Sequence, residues 1–304
     1  MFDSPLSESA YAVLRVDPAA DEQALRRAYR QRLRETHPDT GGDPTLFGQV
    51  QRAWELVGTP QARAGYDRDS ARPFAAPPQT RTDSGQARDT MQARGYGHPG
   101  GLRREQYLTL IREWAGRGAD LGDPYRPAVV RSAPSEIRHL LADALAEEDT
   151  ARRVADLGIG YTVWHDVAAP SRADPRAKVD HVVLGPSGLY ALASEDFGCP
   201  VRIRRGELLG AGVTGTPIGT LVAGMRVVAR AARVRFSGAI LVLPDDDFAA
   251  TIEEVGSVRG RPVAVCSRSG LSAVLRRGIT GVRPIGGNEL FDMRTRLQQA
   301  IQFV

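Results

Sequence analysis

His37-Pro38-Asp39 separates two strongly patterned helical segments, and its reading decides the fold of the N-terminal part of the chain. Pro38 lacks an N–H and pushes the residue before it out of the α region, so a helix arriving from upstream has to stop here. The tripeptide is thereby displayed on a stiff corner. Upstream, Asp21 to about Thr36 reads as a helix: Leu25, Ala28, Tyr29 and Leu33 recur on one face, Asp21 is a candidate N-cap, and Glu22 suits the positive end of the helix dipole. The opposite face is basic, with Arg26, Arg27, Arg30 and Arg34. Downstream, Pro44 can open a second helix whose apolar stripe is Phe47, Val50, Ala53, Trp54 and Val57. An antiparallel helical hairpin with a short loop is expected.

Around that hairpin, Tyr11-Ala12-Val13-Leu14, Ala28-Tyr29-Arg30, His37-Pro38-Asp39, Phe47-x-x-Val50-x-x-Ala53-Trp54 and Arg63-Ala64-x-Tyr66-Asp67 stand in an order and spacing that resemble a DnaJ-type J domain over residues 1–69. Trp54, where that family usually has Tyr, and Thr59, where it often has Asp, depart from the pattern without touching the tripeptide. The resemblance implies a partner, a DnaK-type ATP-driven chaperone, with Arg26, Arg27, Tyr29, Arg30, His37, Pro38 and Asp39 forming the docking face. It implies that the basic helix steers toward an acidic surface while the corner triggers ATP hydrolysis in the partner. A J domain hydrolyses nothing itself, so no catalytic residue and no cofactor is expected. The plainer reading of the same residues is a helix stop beside a solvated charged face.

A length of 304 residues exceeds the usual single compact unit, so a further core is expected. The formal charge of +4 is carried almost wholly by arginine and says little about partners; Lys178 is the single lysine. Cys199 and Cys266 are the only cysteines, too few for a zinc ribbon, and free thiols are the default. Met1-Phe2-Asp3-Ser4-Pro5 lacks the pattern of a signal peptide and no apolar run approaches membrane-spanning length, which favours a cytoplasmic protein without a membrane partner. Residues 70–102 read as a flexible linker rich in Pro, Gly, Ser, Thr and Gln. Residues 103–130 read as a helical connector: a helix over about Arg104–Ala115, with Tyr107, Leu110, Ile111 and Trp114 on one stripe, then a turn at Asp123-Pro124-Tyr125-Arg126-Pro127.

From residue 131 to 304 the pattern is α/β. A long helix from about Pro134 to Leu157 precedes strands at Tyr161–Val167, Val179–Leu184, Leu189–Ala193 and Val201–Arg204. A helix at about Ile218–Arg233, strands at Gly238–Leu243 and Pro262–Cys266, and helices near Gly270–Arg277 and Asn288–Gln302 follow. Here Val179-Asp180-His181-Val182-Val183-Leu184-Gly185-Pro186-Ser187-Gly188-Leu189-Tyr190, with Ser135-Glu136 and Trp164-His165-Asp166 before it, resembles the nuclease-related NERD domain, one of the PD-(D/E)xK, restriction-endonuclease-like folds. The resemblance implies a metal site built from an Asp on one core strand and Glu-x-Lys on the next, the carboxylates holding a divalent ion and the lysine activating water. Asp180 supplies the Asp. Ala193 stands where the Glu should be and Glu195 where the Lys should be, so the signature is broken twice. Glu136, Asp180 and Glu195, with Lys178 displaced onto the Asp180 strand, are the candidates for a degenerate site, and residues two apart on a strand share a face. No metal is assigned to it, and a pseudo-nuclease is expected. His165 and His181 read as packed or hydrogen-bonded side chains rather than ligands. Arg202, Arg204 and Arg205, and Arg226, Arg230 and Arg233, support an alternative in which the domain binds nucleic acid without cutting it. A metal-dependent nuclease with a rearranged site is the third reading.

Overall fold

The structure, a computed structural model, describes residues 4–74, 92–116 and 120–304, which divide into two compact units: 4–74 with 120–133, and 92–116 with 134–304. Of the linker expected over 70–102, residues 75–91 lie outside the described residues.

In the first unit, α1 (Ala10–Val13), α2 (Glu22–Thr36), α3 (Pro44–Val57) and α4 (Pro60–Ala71) are each started by a side chain that accepts from a backbone N–H: Ser9, Asp21, Asp43 and Thr59. Three of the four therefore begin with a polar cap followed closely by Pro or Glu, a start legible in the sequence. The core between them is Ala10, Tyr11, Leu14, Leu25, Val50, Ala53 and Val57. Tyr29 and Trp54 stack across α2 and α3 with ring centroids 4.4 Å apart. Arg63 ties the base of the hairpin together: it donates to the carbonyls of Pro18 and Ala20 and to the Tyr11 hydroxyl, which in turn donates to Asp67.

The second unit begins with β1 (Arg94–Tyr96) and α5 (Gly101–Ala115). After α6 (Pro127–Ser132), which belongs to the first unit, come α7 (Ser135–Ala155), β2 (Thr162–Ala168), β3 (Lys178–Gly185) and β4 (Gly188–Ser194). A small hairpin, β5 (Arg202–Arg204) and β6 (Glu207–Leu209), precedes α8 (Pro217–Ala232), β7 (Gly238–Leu243), β8 (Ile252–Val258), β9 (Arg261–Ser267), α9 (Leu271–Arg277) and α10 (Gly287–Ala300). Seven strands form one mixed sheet in the order β1-β2-β3-β4-β7-β9-β8. The β2-β3-β4 meander is antiparallel, β4, β7 and β9 run parallel, and β8 returns antiparallel at the edge.

Helices cover both faces. Val182, Leu184, Leu189, Ala191, Ala239 and Leu241 pack against Leu221, Val222, Met225 and Leu297 of α8 and α10. Val183, Tyr190, Leu192, Ile240 and Val242 meet Val154, Leu271, Val274 and Leu275 of α7 and α9. A central strand buried on both sides reads as an unbroken apolar run, which is what Gly238–Leu243 shows. The expected strands and helices of residues 134–304 are present, with ends shifted by a few residues. Strands β1, within the expected linker, β6 and β8 were not expected from the sequence; in β8, Glu253 and Glu254 and the register shift at Glu254/Gly256 break the period-two alternation. Among the described residues no helix is long and apolar enough to cross a membrane.

Candidate functional site

The corner after α2 is built by backbone geometry. His37 leaves the helix at φ −64°, ψ 128°, and Pro38–Thr40 forms a single 3-10 turn. Gly41 follows at φ +83°, and Gly42 donates to the His37 carbonyl at 3.0 Å. A Cβ on Gly42 would lie 2.2 Å from the Thr36 carbonyl carbon, so only glycine lets the loop fold back this tightly. His37 Nδ1 accepts from the Asp39 amide at 3.2 Å, which leaves the ring proton on Nε2, and the ring stands edge-on to Phe47 with centroids 5.1 Å apart. The Asp39 side chain is 88% exposed, so its carboxylate is presented to solvent while the imidazole is pinned from two sides. On the adjoining face Arg27 is exposed, Arg26 pairs with Glu22, and Arg30 Nε donates to the Arg26 carbonyl. Tyr29 faces inward onto Trp54, which makes it a support of that face.

In the second unit the structure brings Lys178 and Asp180 together and adds partners the sequence reading did not assign. The Lys178 ammonium, 4% exposed, bonds to Glu147 of α7 and to Asp166 of β2, and lies 3.2 Å from Asp180. Asp166 sits at φ +51° within its strand, and β2 pairs with β3 through His165 and Val167 on either side of it. A left-handed residue there is a local strain that Asp tolerates better than most, and it marks a position held by its surroundings. Backbone amides also donate to each carboxylate: Gly100 to Glu147 Oε2, the oxygen that Lys178 uses, at 3.1 Å, and Leu102 and Ser194 to the second oxygens of Asp166 and Asp180 at 3.1 and 2.9 Å. Gly100 and Leu102 belong to the start of α5, whose N-terminus favours negative charge. A Cβ at Gly100 would come within 2.7 Å of the Ala144 carbonyl oxygen, so glycine is what allows α5 to approach α7 this closely.

A second ring of charge adjoins the first. Arg103 Nε lies 3.9 Å from Asp143, and burial pushes the Asp143 carboxyl up to about 6 against the pull of that guanidinium. Burial, then Asp143 and Asp180, raise Glu195; burial and Asp180 raise Glu147, with Lys178 opposing. Burial lowers His165 to about 4 and drives His181 well below the usual imidazole range. These rings are neutral near pH 7 and share a 2.7 Å Nδ1–Nδ1 hydrogen bond, with His181 continuing to Ser194 and Thr150.

Glu136 does not join this cluster: it is exposed in the first turn of α7, and Glu147, three turns further along, carries the helix carboxylate. Ala193 contributes no ligand. The residues present do not fit a divalent ion, because the Lys178 ammonium stands among the carboxylates of Glu147, Asp166 and Asp180. Among the described residues no group of three or more His, Cys, Asp or Glu side chains is placed to hold a metal. Of the arginines singled out earlier, Arg202, Arg204 and Arg205 are exposed around the β5–β6 hairpin and Arg226 and Arg230 on α8, whereas Arg233 ends that helix at φ +52°. Asp143 and Glu147, four apart on α7, share a helix face, a spacing that pairs them without singling Glu147 out from Glu136.

A DnaJ domain family model matches residues 9–67. The Chaperone protein DnaJ of Thermosynechococcus vestitus is 41% identical over 66 residues, covering 21% of this chain and 18% of the relative. A Curved DNA-binding protein of Pseudomonas syringae pv. tomato is 38% identical over 85 residues, covering 25% of this chain and 27% of the relative. A DnaJ protein homolog of Cucumis sativus is 39% identical over 57 residues, 19% of this chain and 14% of the relative. The chain thus spans at most 27% of the length of these relatives. With the helical hairpin, its corner and the matched residues in agreement, the N-terminal part of this protein is a J domain, carried on the same chain as a mixed α/β sheet domain.

Proposed function

We propose that this protein is a cytoplasmic J-domain cochaperone that stimulates the ATPase of a DnaK-type chaperone through His37-Pro38-Asp39. Residues 1–69 act as the J domain, 70–102 as linker and 103–130 as connector, and 131–304 as a pseudo-nuclease of the PD-(D/E)xK, NERD-like kind that selects the client or partner. The observation that carries the reading is the corner itself. His37 is fixed by the Asp39 amide and Phe47, Asp39 is exposed, and Arg26, Arg27 and Arg30 line the helix leading to them. Support for the pseudo-nuclease comes from the second unit, where Ala193 and Glu195 replace the expected Glu and Lys and an ammonium stands among the carboxylates. Single-turnover ATPase measurements on a DnaK-type chaperone test the function: wild type accelerates hydrolysis, His37→Gln does not, and equal acceleration by both sinks the reading. Charge reversal at Arg26 and Arg30 weakens the effect in a salt-sensitive manner.

The exposed arginines of the β5–β6 hairpin and α8 favour one second reading, an adaptor that brings the chaperone to nucleoprotein. The carboxylate cluster repels phosphate, so any such binding runs through those arginines and weakens steeply with salt. Salt-dependent titration of DNA and RNA separates the two.

A further inference from the structure

We propose that the α8 side of the seven-stranded sheet, at the end where β7 and β9 begin, binds the phosphate backbone of duplex nucleic acid through arginines held on left-handed turns: Arg205, Arg233 and Arg259, with Arg230, Arg261 and Arg296 beside them. This surface deepens the adaptor reading above and rests on it for the class of ligand; the residues and the mode of contact come from the backbone.

Five non-glycine residues among the described ones have a positive φ, and four of them are arginines: Arg15, Arg205, Arg233 and Arg259, the fifth being Asp166. Arg205-Gly206 joins β5 to β6 between the paired Arg204 and Glu207, and Arg259-Gly260 joins β8 to β9 between Val258 and Arg261. Both residues of each loop have φ between +50° and +82°, the two-residue hairpin turn whose first position favours Asn or Asp. Arg233 ends α8 at φ +52°, ψ 42°, where Gly or Asn is favoured. A long side chain enters this region only at a conformational cost, so the backbone does not account for arginine at three such places. Ion pairing does not account for it either. Among the described residues Arg104, Arg153, Arg268 and Arg283 of the same unit have a carboxylate within 4.0 Å, whereas Arg205, Arg230, Arg233, Arg259, Arg261 and Arg296 have none.

Strands β7 and β9 run parallel side by side, so the loops that enter them share one end of the sheet. Arg261 Nη1 donates to the Phe236 carbonyl at 3.5 Å and Arg296 Nη1 to the Arg233 carbonyl at 3.3 Å, which ties these loops and α10 together. The β5–β6 tip reaches β8 on the face that α8 covers, a Cβ on Gly206 lying 3.8 Å from Val255 Cγ1. Asp245, Asp246 and Asp247 follow β7 at its other end, where the Ser194 amide of β4 donates to Asp180, so these carboxylates and these arginines occupy opposite ends. Separate guanidinium forks on turn tips, a helix end and a neighbouring helix fit a rigid polyanion with regularly recurring phosphates, which engages them together; a flexible acidic peptide has first to be ordered. Phe236 and Phe248, the only aromatics from residue 201 to 262, are buried, so no stacking platform selects unpaired bases.

The test uses the full chain and measures the anisotropy of labelled DNA and RNA duplexes of mixed sequence across a salt series, with thermal unfolding of each variant. Wild type binds duplex with an affinity that falls steeply as salt rises, and the DNA and RNA arms show which one supplies the phosphates. The triple variant Arg205→Asn/Arg233→Asn/Arg259→Asn suits the left-handed turns better, so its Tm equals or exceeds that of wild type. It nevertheless binds at least about tenfold more weakly, with a salt slope shallower by about two to three. A triple variant that binds as wild type does overturns this surface and leaves the adaptor reading standing, whereas a wild type that binds neither duplex overturns both. Single-stranded DNA or polyglutamate bound as tightly as duplex overturns the assignment of the ligand. If the triple variant unfolds more readily than wild type, Arg230→Gln/Arg296→Gln, on exposed helix faces, is judged by the same binding readouts. Chaperone stimulation is measured alongside, so that the cochaperone reading and this surface can fail separately.

Discussion

Among single residues, Asp143 offers the clearest measurement. Its carboxyl is pushed up to about 6 from 3.8, by burial first, with Arg103 opposing and Asp180 adding to the rise. A raised carboxyl means that the folded state holds the proton more tightly than the unfolded chain. Its favourable contribution is therefore present below about pH 4 and is lost as pH rises through 6. Asp143→Asn removes a charge that the fold disfavours at neutral pH, so it raises stability above pH 6 by about 1–2 kcal/mol, part of the gain being offset by the lost Arg103 contact. Below pH 4 the difference vanishes. His165 acts in the other direction: lowered to about 4 from 6.5, it contributes stability above 6.5 that is lost as pH falls through 4. In wild type the two slopes partly cancel between pH 6 and 4. Urea midpoints across this range should fall more steeply on acidification in Asp143→Asn than in wild type, and parallel profiles would refute the assignment.

Among elements, α5 and α7 are joined by an ion pair withdrawn from water: Arg104 bonds to both carboxylate oxygens of Glu148, the two residues being 5% and 3% exposed. Truncating one partner leaves the other charge buried alone, so Arg104→Ala should cost about 3–5 kcal/mol, whereas Arg104→Met with Glu148→Leu should recover most of it. Denaturant unfolding of the two variants checks this. The α5 helix was legible because Tyr107 and Ile111 repeat at helical spacing, and both are fully buried. The α2–α3 hairpin was legible for the same reason, its stop being written by Pro38. Strand β1 was not, since three exposed residues in a stretch rich in small and polar types carry no period of their own; they pair because β2 offers an edge. In the candidate site, Lys178 with Asp180 could be read from their spacing on one strand. Glu147 could not be preferred to Glu136, because α7 carries several acids and periodicity does not say which turn reaches the end of the sheet. Asp166 was hidden differently: its carboxylate meets the lysine through a left-handed kink in β2 that alternation does not predict.

For the molecule as a whole, the two units hold separate apolar cores, one around Leu25, Val50 and Ala53, the other on both faces of the seven-stranded sheet. A side chain that acts on a partner and one that holds a core should then be separable by experiment. His37 is 41% exposed at its side chain, and its ring stands edge-on to Phe47. His37→Gln should leave the unfolding free energy within about 0.5 kcal/mol of wild type, as surface substitutions usually do, while removing stimulation of a DnaK-type ATPase. Arg104→Ala should do the reverse, lowering the stability of the sheet unit while leaving stimulation intact at temperatures where the chain remains folded. Val50→Ala should impair both, because the cavity it opens lies between the helices that hold the corner, and large-to-small changes in a core cost stability beyond the lost methyl groups. Measuring the denaturant midpoint and single-turnover hydrolysis on the same three preparations gives the outcome. If Arg104→Ala lost stimulation while His37→Gln kept it, the activity would have to be sought in the α/β unit instead of the corner.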